Sequence, residues 1–325
     1  MNVLASMRYL AALNEHRHFG RAAQACHITQ PALSNALRAL EGEFGVLIVK
    51  RGRTFEGFTE EGEAVLATAQ RMLHEQALLS ERLRSAEGHP RGRLRLAAVP
   101  TAMVILSRFA IALQMRHPGI APTVVSLSSL EIETALDSMS LDLALGYTDR
   151  TRVRNVSLAV WPQCTESYYL VHRKPGPVRA GRAVRIGAPM GWAEAGSLSL
   201  CLLTPEMHNR AIVDHAFRTA GVGVSPSMET NSIHTLASCV GAGALASVLP
   251  GAALALLPRD GGPFEARPLV APLLETPLGF MTYSTDRTSR ALQAAIDFAQ
   301  SEEWFAELQP LARPEGLGDP RRAAR

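Results

Sequence analysis

The chain has 325 residues, 47% of them hydrophobic, which is too long for one ordinary domain and apolar enough to bury two or three cores. Its formal net charge is only +3, yet residues 1–95 carry 13 Lys and Arg against 10 Asp and Glu, while the remainder carries 20 of each. All the surplus positive charge is therefore N-terminal, which suits a small nucleic-acid-binding head on an electroneutral body and excludes a uniformly acidic or basic chain.

Met7, Leu10 and Leu13 recur at helical spacing and predict a first amphipathic helix ending near His16. The Ala-rich stretch 20–26 predicts a short second helix, with His27 and Ile28 in the turn that follows. Thr29 stands where an N-cap belongs, and Pro31 falls in the first turn, where a missing N–H is harmless; a third helix starts there. Along it Leu33, Leu37, Leu40 and Phe44 share one face, whereas Pro31, Ser34, Asn35 and Arg38 lie well away from it at ~100° per residue. One face is core and the other is free to touch a partner. Gly45 stops the helix, and 46–49 and 55–58 read as the two strands of a small wing whose tip carries Lys50, Arg51 and Arg53.

From 59 to 85 there is no Pro, Gly62 is the only glycine, and Glu60, Glu61 and Glu63 favour a helix N-terminus, so a single long helix is predicted. Val65, Ala69, Met72, Gln76, Leu79 and Leu83 alternate spacings of four and three along it, the pattern of a coiled-coil seam, and mark a dimer contact. The segment 88–92, with Pro90 between two glycines, breaks the helix and supplies a hinge. Beyond it, strands at 93–99, 123–127 and 142–146 alternate with helices at 101–115 and 132–139, which implies a parallel sheet with helices on its faces. A second block of this kind opens near Tyr168, with strands at 168–171 and 198–203 and helices at 205–219 and 233–240. A strand at 277–283 and one helix at 288–307 are expected to return to the first lobe, and 310–325 reads as a disordered tail. The expected domains are a winged helix-turn-helix at 1–58, a linker helix at 59–87, the hinge at 88–92 and a regulatory domain at 93–309. Its first lobe covers about 93–164 and 267–309, and its second about 165–266.

Several spaced motifs follow one another in the head: Phe19 with Ala22 and Ala23; Thr29-Gln30-Pro31-Ala32-Leu33-Ser34; Leu40-Glu41 with Phe44-Gly45-Val46; and Phe58-Thr59-Glu60-Glu61-Gly62. In this order they closely resemble the DNA-binding head of LysR-type transcriptional regulators. The remainder agrees more loosely, through the strand opening 94–100, His117-Pro118, Leu141-Asp142-Leu143-Ala144, and Val240-Gly241-Ala242-Gly243 with Leu249-Pro250. The resemblance implies an α/β protein with an N-terminal winged helix-turn-helix, a long linker helix and two periplasmic-binding-protein-like lobes enclosing an effector cleft. It also implies promoter DNA as a partner and a homotetramer assembled from dimers, and RNA polymerase stands as a further expected partner. The family often has Leu-Phe-x-Arg at the first wing strand, where this sequence reads Leu47-Ile48-Val49-Lys50.

Gln30, Pro31, Ser34, Asn35 and Arg38 are accordingly placed at base edges, since Gln and Asn pair bidentately with adenine and Arg with guanine. Lys50, Arg51 and Arg53 are assigned to phosphates, which position a protein without reading sequence. For the effector, Thr101 and Thr204 each end a strand and open a helix, offering a hydroxyl cap beside free backbone N–H groups; Ser128, Ser129 and Tyr147 follow neighbouring strands. Sequence position aims no Arg or Lys at this cleft, so a small organic or inorganic anion is expected, a short carboxylate such as formate rather than a polyanion.

No uninterrupted apolar stretch at the N-terminus reads as a signal peptide, and 240–257 contains Pro250, so a soluble cytoplasmic protein with no membrane partner is expected. Cys26, Cys164, Cys201 and Cys239 are scattered without a CxxC pair and read as buried thiols. His208 and His215 are seven apart, not the four that would put both on one metal, and no nucleophile elbow, phosphate loop or dinucleotide fingerprint occurs. The reading is a regulator with no cofactor, metal or catalytic residue. Two alternatives stand beside it: a redox sensor acting through Cys201, which has no near neighbour in sequence to resolve it, and a small-molecule-binding α/β protein whose helical N-terminus only dimerises.

Overall fold

A computed structural model of the chain describes residues 2–50, 52, 54–84, 89–152, 158–174, 184–257, 264–284 and 288–312. Two compact units result, one built on the residues up to His89 and the other on most of the chain from Pro90 onward.

In the first unit, helix α1 (Val3–His16) is capped by the Asn2 side chain, which accepts from the Ala5 N–H, and it buries Met7, Leu10 and Leu13. Helix α2 (Phe19–Ala25) is capped by His18 Nδ1 and packs through Ala22 and Ala23, whose small side chains allow the close approach. Helix α3 (Gln30–Phe44) starts at Thr29, whose hydroxyl accepts from the Ala32 N–H, and stops at Gly45 with φ +67°. Leu33, Leu37 and Leu40 are buried, but Phe44, expected on the same face, is 44% exposed because the core ends one turn earlier.

The wing is shorter than expected. Among the described residues of the wing only Val49 and Phe58 form a β-bridge, because the Glu41 carboxylate on α3 takes the Ile48 N–H that the next ladder pair would use, along with the outward-facing Val49 N–H. Helix α4 (Glu60–Arg84) then runs for 25 residues, about 37 Å. The Thr59 hydroxyl accepts from the Gly62 N–H, and a Cβ at Gly62 would strike the Ile48 carbonyl, so the Phe58 to Gly62 motif joins a core aromatic, a cap and a close approach.

The second unit opens with β1 (Gly92–Ala98), a 3₁₀ turn at Pro100–Ala102, α5 (Met103–Arg116), β2 (Ile120–Ser126), α6 (Ser129–Asp137) and β3 (Leu143–Tyr147). A 16-residue strand, β4 (Leu158–Arg173), leads to β5 (Val184–Ile186), β6 (Met190–Gly191), α7 (Trp192–Gly196) and β7 (Cys201–Leu203). Then come α8 (His208–Thr219), β8 (Met228–Thr230), α9 (Ile233–Ala242), β9 (Ser247–Pro250), β10 (Phe264–Val270) and β11 (Glu275–Tyr283). Helices α10 (Arg290–Ala299) and α11 (Glu302–Ala312) close the described chain.

The sheet is mixed rather than parallel, in the order β2-β1-β3-β11-β4-β10-β5. β1 pairs in parallel with β2 and β3, but the returning strand β11 inserts between β3 and β4 and is antiparallel to both. β4 changes partners along its length: residues up to Ser167 pair with β11, and from Tyr168 it pairs with β9 and β10. The second block therefore shares a strand with the first. Asp142 explains the motif around it, since its carboxylate takes the Arg95 N–H at 2.7 Å and the guanidinium at 2.8 Å, locking β1 beside β3. The single C-terminal helix expected at 288–307 divides because the Ser301 hydroxyl caps a new helix by accepting from the Trp304 N–H. Helix α11 also carries Pro310 and continues to Ala312, so the expected tail cannot begin at Pro310; residues 313–325 lie outside the described set.

Candidate functional site

On the head, Gln30, Pro31, Asn35, Arg38 and Lys50 are exposed and Ser34 is half-buried. Arg38 donates to Asn35 Oδ1 at 3.3 Å, so the two side chains are held together before any partner arrives. Ser34, Arg38, Glu41, Lys50 and Gly52 line one hollow between α3 and the wing, which places a helix face and a wing cation on the same groove. Arg51 and Arg53 lie outside the described residues. Of the seam on α4, Val65 and Ala69 are taken into the head's own core, whereas Met72 is 48% and Leu79 56% exposed. Gln76 bonds Arg8 and Ser80.

In the second unit a narrow, partly open cavity of about 10 Å³ is lined by Thr101, Ser128, Ser129 and Tyr147, four of the five residues expected there. It adjoins a wider cleft bordered by Met103, Glu131, Glu206, Asn231 and Ser232. Thr204 lines neither, because its hydroxyl donates to Glu206 Oε1 at 2.6 Å. Neither threonine is a cap. Thr101 is buried within the 3₁₀ turn, and α8 starts only at His208, after an N-cap position, Met207, that offers no side-chain bond. The capping falls to Ser128, which exchanges bonds with Glu131 in a capping box, and to Ser232, which accepts from the Thr235 N–H. The N-termini of α5, α6, α8 and α9 all open on this cleft.

Its floor is a buried polar network. Asn209 gives one N–H to the Tyr147 hydroxyl at 3.0 Å and the other to the Tyr168 hydroxyl at 3.2 Å. Tyr147 also meets Thr101 Oγ1 at 2.8 Å, and Tyr168 meets Thr276 Oγ1 at 3.1 Å. Glu166 lies behind Tyr147, which reaches Oε2 only at 3.5 Å; Oε1 has no hydrogen-bond partner among the described residues. Burial pushes the Glu166 carboxyl from 4.5 up to about 8, so it is an uncharged acid at neutral pH.

His208 and Arg150 complete the corner. Arg150 binds Glu133 Oε1 at 3.1 Å and donates to His208 Nδ1 at 3.2 Å. Burial and then the guanidinium charge hold the His208 pKa below its ordinary value, so the ring is neutral and its N–H sits on Nε2, which has no hydrogen-bond partner among the described residues. Ser129 Oγ is likewise buried and without a hydrogen bond among them, beside the cavity. His215 is exposed. Sequence reasoning missed Asn209, Glu166 and Arg150; only Arg150, three residues after Tyr147 at a strand end, left a local signal.

The cysteines are free, and only Cys201 is buried, which corrects the expectation for Cys26, Cys164 and Cys239. Burial first, and then the neighbouring Cys239 thiol, push the Cys201 thiol up to about 12, the opposite of a reactive thiolate. Cys201 nevertheless has a neighbour in space that its sequence surroundings do not show.

Residues 4–63 match the family described as bacterial regulatory helix-turn-helix protein, lysR family, and residues 87–304 match the LysR substrate binding domain. The chain belongs to the LysR family. It is a DNA-binding transcriptional regulator with an effector-binding domain. Among its relatives is the "Probable HTH-type transcriptional regulator LrrA" of Synechococcus elongatus, 29% identical over 262 residues that cover 80% of this regulator and 84% of that protein. The hydrogen peroxide-inducible genes activator of Pectobacterium carotovorum is 34% identical over 147 residues, but the match spans 45% of this chain and 48% of that protein. The fold matches a full-length OxyR variant from Pseudomonas aeruginosa with a TM-score of 0.71 at 24% identity, covering 98% of each chain. It also matches full-length CbnR, solved with its target DNA, with a TM-score of 0.63 at 19% identity, over 91% of this chain and 98% of that one. Among the described residues no helix is long and apolar enough to cross a membrane.

Proposed function

We propose that this regulator is controlled by a small organic anion, a short carboxylate, bound in the cleft of its second unit at the mouth of the small cavity. The observation that carries the reading is the opening of four helix N-termini on one cleft beside two donors that lack a hydrogen bond among the described residues, Ser129 Oγ and His208 Nε2. Each helix end favours a negative charge by typically ~0.3–1 kcal/mol, while Arg150 behind His208 is already paired with Glu133 and Nε2 faces Asp149 Oδ1 at 3.9 Å, so the helix ends carry the preference. The small cavity leaves only about 10 Å³, so the anion itself sits in the adjoining cleft of about 730 Å³ and meets the cavity's donors at its mouth. Glu131 does not oppose this, because its carboxylate is engaged with the Ser128 N–H.

Screening formate, acetate and longer acids by melting temperature is the test. A short acid should stabilise the parent, and the shift should shrink in Ser129→Ala, which removes a hydroxyl that makes no hydrogen bond among the described residues. Stabilisation only by cationic or large neutral metabolites, or an unchanged shift in Ser129→Ala, would refute the anion site. Effector binding acts through unequal affinity for two arrangements of the lobes.

On DNA, Arg38 is assigned to a base and Lys50 to a phosphate, supported by their places on α3 and the wing. Arg38→Ala should weaken the cognate operator by ~1–3 kcal/mol more than random DNA, whereas Lys50→Ala should weaken both alike and lower the salt slope by about one. Equal losses on cognate and random sequence for Arg38→Ala in a mobility-shift titration would remove the base-reading role. Dimerisation through Met72 and Leu79, assembly of dimers into a tetramer, and contact with RNA polymerase at the promoter complete the proposal.

A further inference from the structure

Strands β7 and β8 pair in parallel with Cys201 opposite Met228, and the next element, α9, lays Cys239 over them. Cys239 Sγ donates to Met228 Sδ at 3.4 Å, and Cys239 packs against the apolar cluster that contains Cys201. Three sulfurs from three elements thus meet at one point, although 27 residues separate the first from the second in sequence and 11 the second from the third. We propose that Cys201, Met228 and Cys239 form a binding site for a cuprous ion.

Two nearby thiols alone have two chemistries open to them, joining to each other or holding a soft cation. The thioether decides between them. It has no part in a disulfide, whereas thiolate and thioether together are the donor set that selects copper(I) over the harder divalent ions. Charge agrees with this. One thiolate neutralises a monovalent ion, and the thioether adds a bond without adding charge, so the filled site can border the apolar cluster of Leu203, Leu236 and Phe264 with no net charge to desolvate. Binding releases one proton, from the thiol that becomes the thiolate, while the other cysteine binds as a neutral thiol. Access is open as well: Met228 is 39% exposed and Cys239 half-buried, while buried Cys201 forms the floor.

The position gives such an ion a consequence. Leu203, the last residue of β7, lines the small cavity; Asn231 follows β8, and Ser232 to His234 start α9 on the wider cleft. An ion joining β7, β8 and α9 at their sulfur-bearing positions would fix the three elements that present this side of the cleft. The site stands on its own residues and holds whether or not the effector is an anion.

The test is an anaerobic titration of the full-length reduced protein with copper(I) against the chromogenic chelator bathocuproine disulfonate. The parent should retain one equivalent and melt at a higher temperature with it. Met228→Leu and Cys239→Ser, both at accessible positions, should each lose the ion at roughly tenfold less competitor or lower still, at least the penalty of removing a supporting group around a metal. Cys26→Ser should behave as the parent. Retention at parental affinity by Met228→Leu would leave no role for the thioether and overturn the site. So would retention by Cys239→Ser, which would put the ion on another thiol, or recovery of Cys201 and Cys239 peptides cross-linked to each other with no copper held.

Discussion

Leu79→Asp is expected to break the α4 dimer contact and to abolish operator binding. Helix α4 is about 37 Å long, and the exposed large apolar side chains among its described ones, Met72 and Leu79, stand seven residues apart on one face; the Leu83 side chain lies outside the described set. Val65 and Ala69, the first positions of the same seam, are already used in the head's core, so the stretch from Met72 onward is what remains for a second copy. In a two-fold contact each substitution occurs twice, and a carboxylate pressed into an apolar seam costs several kcal/mol unless paired. Two recognition helices must reach successive major grooves roughly 34 Å apart, so a monomer forfeits half of its contacts together with the linkage between them. Light scattering should show the mass fall to half or less of the parent's, and a mobility-shift titration should show operator affinity fall by about 100-fold or more. Met72→Leu, which keeps the apolar surface, should change neither. An unchanged mass for Leu79→Asp would move the dimer contact elsewhere.

The head was legible in the sequence because its determinants are local. Thr29, Pro31 and Gly45 start and stop α3 within one turn, and Leu33, Leu37 and Leu40 orient it, so no distant contact was needed to place it. The wing was over-read as two strands because the competing acceptor, Glu41, lies on a different element from the N–H groups it takes. The effector site shows the same division more sharply. Thr101, Ser128, Ser129 and Tyr147 line one cavity, and each follows a strand in sequence, but neither Thr101 nor Thr204 caps a helix. Thr101 turns inward to Tyr147, 46 residues away, and Thr204 turns to Glu206. Asn209 joins Tyr147 and Tyr168 across 62 and 41 residues, and no periodicity encodes such a meeting. Strand order was hidden for the same reason: β11 inserts between β3 and β4 only after the whole second block has been laid down.

Glu166 carries the other large expected effect, a loss of stability as pH rises. Its carboxyl is 3% exposed, Oε1 has no partner among the described residues, and Oε2 is met only at 3.5 Å by the Tyr147 hydroxyl, so removal from water dominates and favours the protonated form. A folded value of about 8 against an ordinary 4.5 means that between these limits the native state holds a proton that the unfolded chain has released. Below the lower limit both states are protonated and the group is neutral in the balance. Rising pH then costs about 1.4 kcal/mol per unit, and the loss levels off above the upper limit at roughly 5 kcal/mol. Tyr147 and Tyr168 do not share this window, since burial raises both hydroxyls above their ordinary value of 10. Glu166→Gln keeps the shape and cannot ionise. Denaturant midpoints of the parent and Glu166→Gln, measured from about pH 4.5 to about pH 8.5 so as to span both limits, should lie close together at the acid end and diverge as pH rises, with the variant the more resistant at the alkaline end. Parallel profiles would mean that Glu166 is ionised in the folded protein and that a cation or solvent reaches it. The same ionisation would place a charge directly behind the Tyr147 and Asn209 pair, so effector affinity in the parent should weaken above about pH 8 and stay level in Glu166→Gln.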